Sequence, residues 1–143
     1  MIDVERVIAE TLSWVGTPYR HQAGTKGIGC DCIGLVRGVW SALYGQAPDM
    51  PADYAPDWSC GDANEAMLMG ARWLLDECGP GELLRGRVLV FRWRPHLPAR
   101  HAGIAVAEDS FVHAYEGGRA VVKSALVPQW RRRIAGVFAF PDN

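Results

Sequence analysis

Apolar residues at Val4, Val7, Ile8, Leu12 and Val15 recur at helical intervals, with Asp3 placed to cap the first turn and Gly16 and Pro18 to end the helix. A polar, glycine-rich loop follows, TPYRHQAGTKGIGCD (17–31). The helical period returns from Cys32 through Ile33, Val36, Trp40, Leu43 and Tyr44 and stops at Gly45. Gly34 and Gly38 inside this second helix cost propensity, which implies close packing against another element. Residues 46–61, QAPDMPADYAPDWSCG, hold three prolines and read as a long irregular connection of the kind that often borders a site. Asp62 followed by Glu65 is a capping signature. It predicts a third helix with Met67, Ala71, Leu74, Leu75 and Cys78 on one side, ended by Gly79 and Pro80.

Beyond residue 86 the pattern changes. RVLVFRW (87–93), HAGIAVA (101–107), SFVHAY (110–115), RAVVKSA (119–125) and GVFAF (136–140) are short, apolar and rich in β-branched or aromatic residues. Glu108-Asp109 and Gly117-Gly118 punctuate them as turns. Helices first and a meander of strands afterwards predict an α+β fold, N-terminal helices packed on a C-terminal antiparallel sheet, in one domain spanning residues 1–143.

A chain of 143 residues can bury such a core without disulfide or metal staples. Its net charge of −1 gives no global attraction to nucleic acid or anionic lipid. Arg131, Arg132 and Arg133 form the one basic cluster, either a solvated surface or a docking patch for an acidic partner. The N-terminal stretch MIDVERVIAETLSW is too charged for a signal peptide, and no later stretch approaches a membrane span. The expectation is synthesis in a reducing cytoplasm, with Cys30, Cys32, Cys60 and Cys78 kept as thiols.

Three chemistries compete for the pair Cys30 and Cys32. A zinc site wants paired ligands two to four residues apart, repeated later, whereas here the spacing is C-x-C and the distal cysteines are single. A mixed site of Cys30, Cys32, His101 and His113 remains the metal alternative. A thioredoxin-like redox pair needs C-x-x-C, which is absent. Cys32 falls where loop becomes helix, next to unpaired amides and the positive dipole end, a setting expected to lower a thiol pKa. From that position alone a nucleophile and an ordinary buried thiol are equally compatible. A thiolate nucleophile needs a base, and the base needs an orienting group. If the 101–107 and 110–115 strands form a hairpin with a three-residue loop, His101, Gly103, His113 and Tyr115 share one face. A two- or four-residue loop is expected to separate the histidines. His21 and His96 fall in loops.

Together, GTPYRHQAGTKGIGCDCIGL and HAGIAVAEDSFVHA resemble the opening and closing blocks of the NlpC/p60 family of papain-like cell-wall cysteine peptidases. The first is similar to the family's G-T-P-Y segment leading to D-C-S-G, the second to its H-x-G-[IV] strand with a second histidine twelve residues on. The resemblance spans roughly residues 5 to 140, and CDC in place of a plain D-C is similar to members encoded with phage and gene-transfer-agent tail genes. It implies that Cys32 is the nucleophile, His101 the base, His113 the orienting residue and Tyr19 the tyrosine beside the thiol. It further implies hydrolysis of peptidoglycan stem peptides between D-glutamate and the following diamino acid, with no metal or cofactor. Delivery as a phage-like tail or baseplate component to the periplasm of a target cell is expected, since the sequence shows no signal peptide. Asp31 is a candidate for the substrate's free amine, or simply a carboxylate favoured by the helix dipole. Two positions depart from the family pattern: Ile33 stands where serine usually follows the nucleophile, and Arg87 where aspartate usually enters the strand. The rival readings are an inactive structural tail protein on the same fold, a Cys/His metal-binding module, and an acyltransferase on a papain-like scaffold.

Overall fold

The computed structural model describes residues 2–49, 65–79 and 81–142. Helix α1 (Val4–Leu12) starts at Asp3, whose carboxylate accepts the Glu5 N–H at 3.0 Å. It stops earlier than its pattern predicts. The chain turns through residues 13–16, so Trp14 enters the core while Leu12 and Val15 stay exposed. Helix α2 (Cys32–Tyr44) is capped by Asp31 and closed by Gly45 in the left-handed conformation, φ 80°. The close packing implied by its internal glycines is present. A Cβ on Gly34 would lie 1.8 Å from the Ala23 carbonyl oxygen, and one on Gly38 2.2 Å from the Trp14 ring. The 17–31 loop is thereby pressed onto the first turns of α2. Within it, β1 (Gly24–Thr25) and β2 (Gly29–Cys30) form a small antiparallel pair.

Helix α3 (Ala66–Leu74) differs from expectation at both ends. Asp62 and Cys60 lie outside the described residues. Glu65 is the N-cap without capping through its side chain; that carboxylate accepts from Arg92 Nη1 and from the Ala99 N–H, each at 2.7 Å. At the other end, Leu75 is already extended and Asp76–Glu77 forms strand β3. Cys78 therefore lies beyond an edge strand rather than on a helix face, its N–H bonded to the Val137 carbonyl at 2.8 Å. Pairing with an open sheet edge satisfies these backbone groups as well as another helical turn would.

The main sheet contains β3, β4 (Val88–Phe91), β5 (His101–Ala107), β6 (Ser110–Tyr115), β7 (Ala120–Ala125) and β8 (Ile134–Ala139). Its order is β3-β8-β4-β5-β6-β7, and every pairing is antiparallel. Alternation along the strands builds two cores. Val88, Val90, Ala102, Ile104 and Val112 pack with the residues of α1, α2 and α3. Leu89, Phe91, Ala105 and Phe111 pack with Leu126 and with Trp130 of α4 (Pro128–Arg131). The expected α+β architecture is the observed one. Among the described residues no helix is long and apolar enough to cross a membrane, and Cys30, Cys32 and Cys78 are free thiols.

The β5–β6 hairpin corrects one step of the sequence reasoning. Its turn is the two-residue Glu108-Asp109, flanked by the pair Ala107↔Ser110. Continued regularly, that register would set the histidines on opposite faces. A bulge intervenes between Ala105 and Ala107, after which Ala105 pairs with Phe111 and Ile104 with Val112. The one-residue shift restores the even pairing sum, and His101, Gly103 and His113 share a face after all.

Candidate active site

Cys32 is the first residue of α2, so its sulfur sits among amides that no preceding turn can satisfy. The N–H groups of Ala102, Ile33 and Cys32 itself point at the sulfur and favour the thiolate. They are outweighed. Burial and then the Asp31 carboxylate push the Cys32 thiol up to about 12, against the depressed value expected from helix position alone. The dipole is present as expected, but a cysteine at 7% exposure loses more in solvation than three amides return.

Ala102, whose N–H reaches that sulfur, follows His101 directly in β5. Nε2 of His101 lies 2.7 Å from Nδ1 of His113, and Nε2 of His113 lies 2.9 Å from Ser124 Oγ. The strand registers account for this line of contacts. In β6–β7, Phe111 pairs with Ser124 and His113 with Val122, so Ser124 projects on the same face as the histidines. Gly103 is opposite His113 by the same register; a Cβ there would come within 3.0 Å of the His113 Cβ. His113 is fully buried and His101 5% exposed. Burial, and then the neighbouring His113, push His101 down to about 3, while burial pushes His113 down to about 4. Both rings are neutral at pH 7, and so is the thiol.

Tyr19 is carried into the site by its bridge to Cys30, in the loop pressed on α2. Burial foremost, then the Cys32 and Asp31 charges, raise its hydroxyl to about 12, so it stays a donor. Asp31 is spent on the backbone: its oxygens accept the Gly34 N–H at 2.8 Å and the Gln22 N–H at 2.7 Å. Tyr19, Asp31, Cys32, His101, Trp93 and Glu116 line one cavity of about 760 Å³, with His113 and Ser124 behind the His101 ring. Four of the five site residues expected from sequence thus open on this cavity, and the fifth touches one of them. Among the described residues no group of three or more His, Cys, Asp or Glu side chains converges to hold a metal ion, so Cys30, Cys32, His101 and His113 do not assemble the mixed site.

Sequence reasoning missed Ser124 and Trp93. Continuing the hairpin register one strand further would have found the serine. Trp93, two residues past β4, stacks on the His101 ring with centroids 5.4 Å apart and planes at 22°; nothing in the local pattern marks it.

The solved structure of the NlpC/p60 domain of the peptidoglycan hydrolase SagA superimposes with a TM-score of 0.64. The match covers 96% of this chain and 99% of that domain at 20% identity. The fold is that of the NlpC/p60 domains. No family model matches the sequence. Among curated proteins, the chain is 26% identical over 133 residues to the murein DD-endopeptidase MepS/murein LD-carboxypeptidase of Escherichia coli K12. It is 23% identical over 137 residues to the gamma-DL-glutamyl hydrolase of Bacillus subtilis 168. These matches take in 92% and 96% of this chain but only 61% and 29% of the two relatives. Within the NlpC/p60 fold the departures at Ile33 and Arg87 are easily placed. Ile33 packs against the helix-side core, and Arg87 immediately precedes β4 with its carbonyl accepting the Ala105 N–H at 2.8 Å.

Proposed function

We propose that the protein is a cysteine peptidase that hydrolyses peptidoglycan stem peptides at the D-glutamyl–diamino acid bond. The observation carrying this reading is that a helix-terminal thiol and His101 open on the same cavity, with His113 and Ser124 lined up behind the His101 ring. The relatives' names support the hydrolase class. They differ over the bond, one naming a γ-glutamyl linkage and the other a DD-peptide and an LD-carboxypeptide linkage.

The mechanism starts from a neutral pair. With the His113 Nε2–H donating to Ser124 Oγ, Nδ1 of His113 is left to accept the Nε2–H of His101. Nδ1 of His101 then carries a lone pair. As the Cys32 sulfur bonds to the scissile carbonyl carbon, its proton passes to that nitrogen. The oxyanion accepts from the Cys32 N–H and the Tyr19 hydroxyl. The imidazolium gives its proton to the leaving amine as the C–N bond breaks, leaving a thioester. His101 next takes a proton from water as that water attacks, and the carboxylic acid departs with Cys32 restored as a thiol. His113 holds the ring of His101 and Asp31 holds the start of α2. An amine-binding role for Asp31 would use the lone pairs that Gly34 and Gln22 leave free.

Digestion of purified peptidoglycan with wild type and Cys32→Ala, followed by mass analysis, tests the reading. The expected result is release of fragments cut after D-glutamate by wild type only. Cleavage at a DD cross-link would move the bond; acyl products without free amines would indicate an acyltransferase. No cleavage by folded wild type would leave the inactive structural protein. Delivery in a phage-like tail to the periplasm of a target cell is supported by the CDC form of the opening block alone. It predicts that the protein co-purifies with tail or baseplate particles.

A further inference from the structure

Next to the catalytic cavity, the segment after β4 and the segment from α4 to β8 enclose a second cavity of about 430 Å³. Arg92, Arg94, Arg132 and Arg133 line it, with Trp93 and Gln129, and no carboxylate does. That is four of the chain's 15 cationic residues gathered in one hollow of a protein whose net charge is −1. Arg92 is neutralised by Glu65 at 2.7 Å. Among the described residues no acidic side chain forms an ion pair with Arg94, Arg132 or Arg133. Arg131 is not part of the hollow; its guanidinium donates to the Glu108 carbonyl at 2.8 Å.

Arg133 is held in a way that an ordinary surface arginine is not. Its guanidinium carbon lies 5.3 Å from the ring centroids of both Trp93 and Trp130. Two aromatic faces fix the plane of the fork, so less rotamer freedom is lost when it binds a planar two-oxygen acceptor. Trp93 lines both cavities and stacks on His101. A ligand leaving the catalytic cavity across Trp93 therefore meets Arg133, with Arg132 and Arg94 along the same wall.

We propose that this hollow is a subsite for a carboxylate-bearing arm of the peptide substrate. The proposal rests on the peptidase reading above, since it takes the occupant to be an extension of the chain held over Cys32. The hollow is too small and too local in charge for a nucleic-acid backbone, and it adjoins, across Trp93, the cavity that the peptidase reading gives to peptide. Three uncompensated cations select an anionic stretch of that peptide over an amidated one. Discrimination between carboxylated and amidated stem peptides is its consequence.

The test uses the full chain carrying Cys32→Ala, which binds without turnover, and the same chain with Arg132→Gln and Arg133→Gln added. Tryptophan fluorescence is titrated with a γ-linked glutamyl oligomer, with its amidated counterpart, and with a polyphosphate of matching length. The expected result is salt-sensitive binding of the carboxylate oligomer that weakens about tenfold in the double arginine variant. Binding of the amidated oligomer should be weaker and equal in both. Because Arg133→Gln also removes packing between two tryptophans, Arg94→Gln with Arg132→Gln repeats the measurement at side chains that stack on no ring among the described residues, and should weaken binding in the same direction. Unchanged affinity in both arginine variants overturns the proposal, as does equal binding of the two oligomers. Preference for polyphosphate overturns the carboxylate assignment. The binding assay needs no hydrolysis, so an inert wild type in peptidoglycan digestion would overturn the peptidase reading without deciding this result.

Discussion

Acid should destabilise this protein through two imidazoles, and His113→Gln should remove half of the effect. His101 and His113 are buried in the folded chain with pKa values pushed down to about 3 and about 4, and an unfolded histidine titrates near 6.5. Between about pH 6.5 and 4.5 the unfolded chain therefore binds two protons that the folded chain refuses. Stability is full above the unfolded value and falls as pH drops below it, by about 1.4 kcal/mol per pH unit for each ring. Across two pH units this comes to about 3 kcal/mol per ring and about 5 kcal/mol for the pair, comparable to the whole stability of many domains. In His113→Gln the slope should be close to half that of wild type. Glu65 and Glu108, whose carboxyls are held below their usual values by backbone N–H groups and arginines, add the same slope to both proteins at lower pH. Urea unfolding from pH 7 to 4.5 in wild type and His113→Gln gives both slopes directly. Parallel stability curves would refute the claim that His113 is held neutral by the fold.

Two further outcomes follow from single contacts. Ser124→Ala should lower kcat three- to tenfold with little change in KM, because the His113 tautomer that leaves His101 basic loses its acceptor. Ser124→Thr should restore most of it, and the pH–rate profile should shift in the alanine variant only. Gly34→Ala should cost more than about 3 kcal/mol in thermal or chemical unfolding, since its Cβ meets the Ala23 backbone, which no side-chain rotation relieves.

The parts of this fold legible in the sequence are those set by local chemistry. Asp3 before α1 and Gly45 after α2 act as their positions predict, and Gly34 and Gly38 mark a close contact because a helix tolerates glycine only for a reason. What escaped depends on distant partners. The end of α3 is decided by the open edge of β8, which takes Asp76 and Glu77 into the sheet although Leu75 and Cys78 continue the helical pattern. Ser124 joins the site through two successive strand pairings. The ionisation of Cys32 departs from the sequence expectation because the helix terminus is visible in sequence, whereas depth of burial is not. Trp93 meets His101 across the connection between β4 and β5, a contact that no local pattern marks.

The irregularity at Val106 bears on how such hairpins can vary. With a two-residue turn and one looped-out residue, the sheet delivers the same facing rings as a three-residue turn with none. Loss of Val106 would leave Ala105 opposite Phe111 and Gly103 opposite His113, so the spacing between the histidines can shorten by one without parting them. Parity between two facing histidines is thus a property of the whole hairpin, adjustable at a position remote from their contact, and counting residues between them does not by itself say whether they meet.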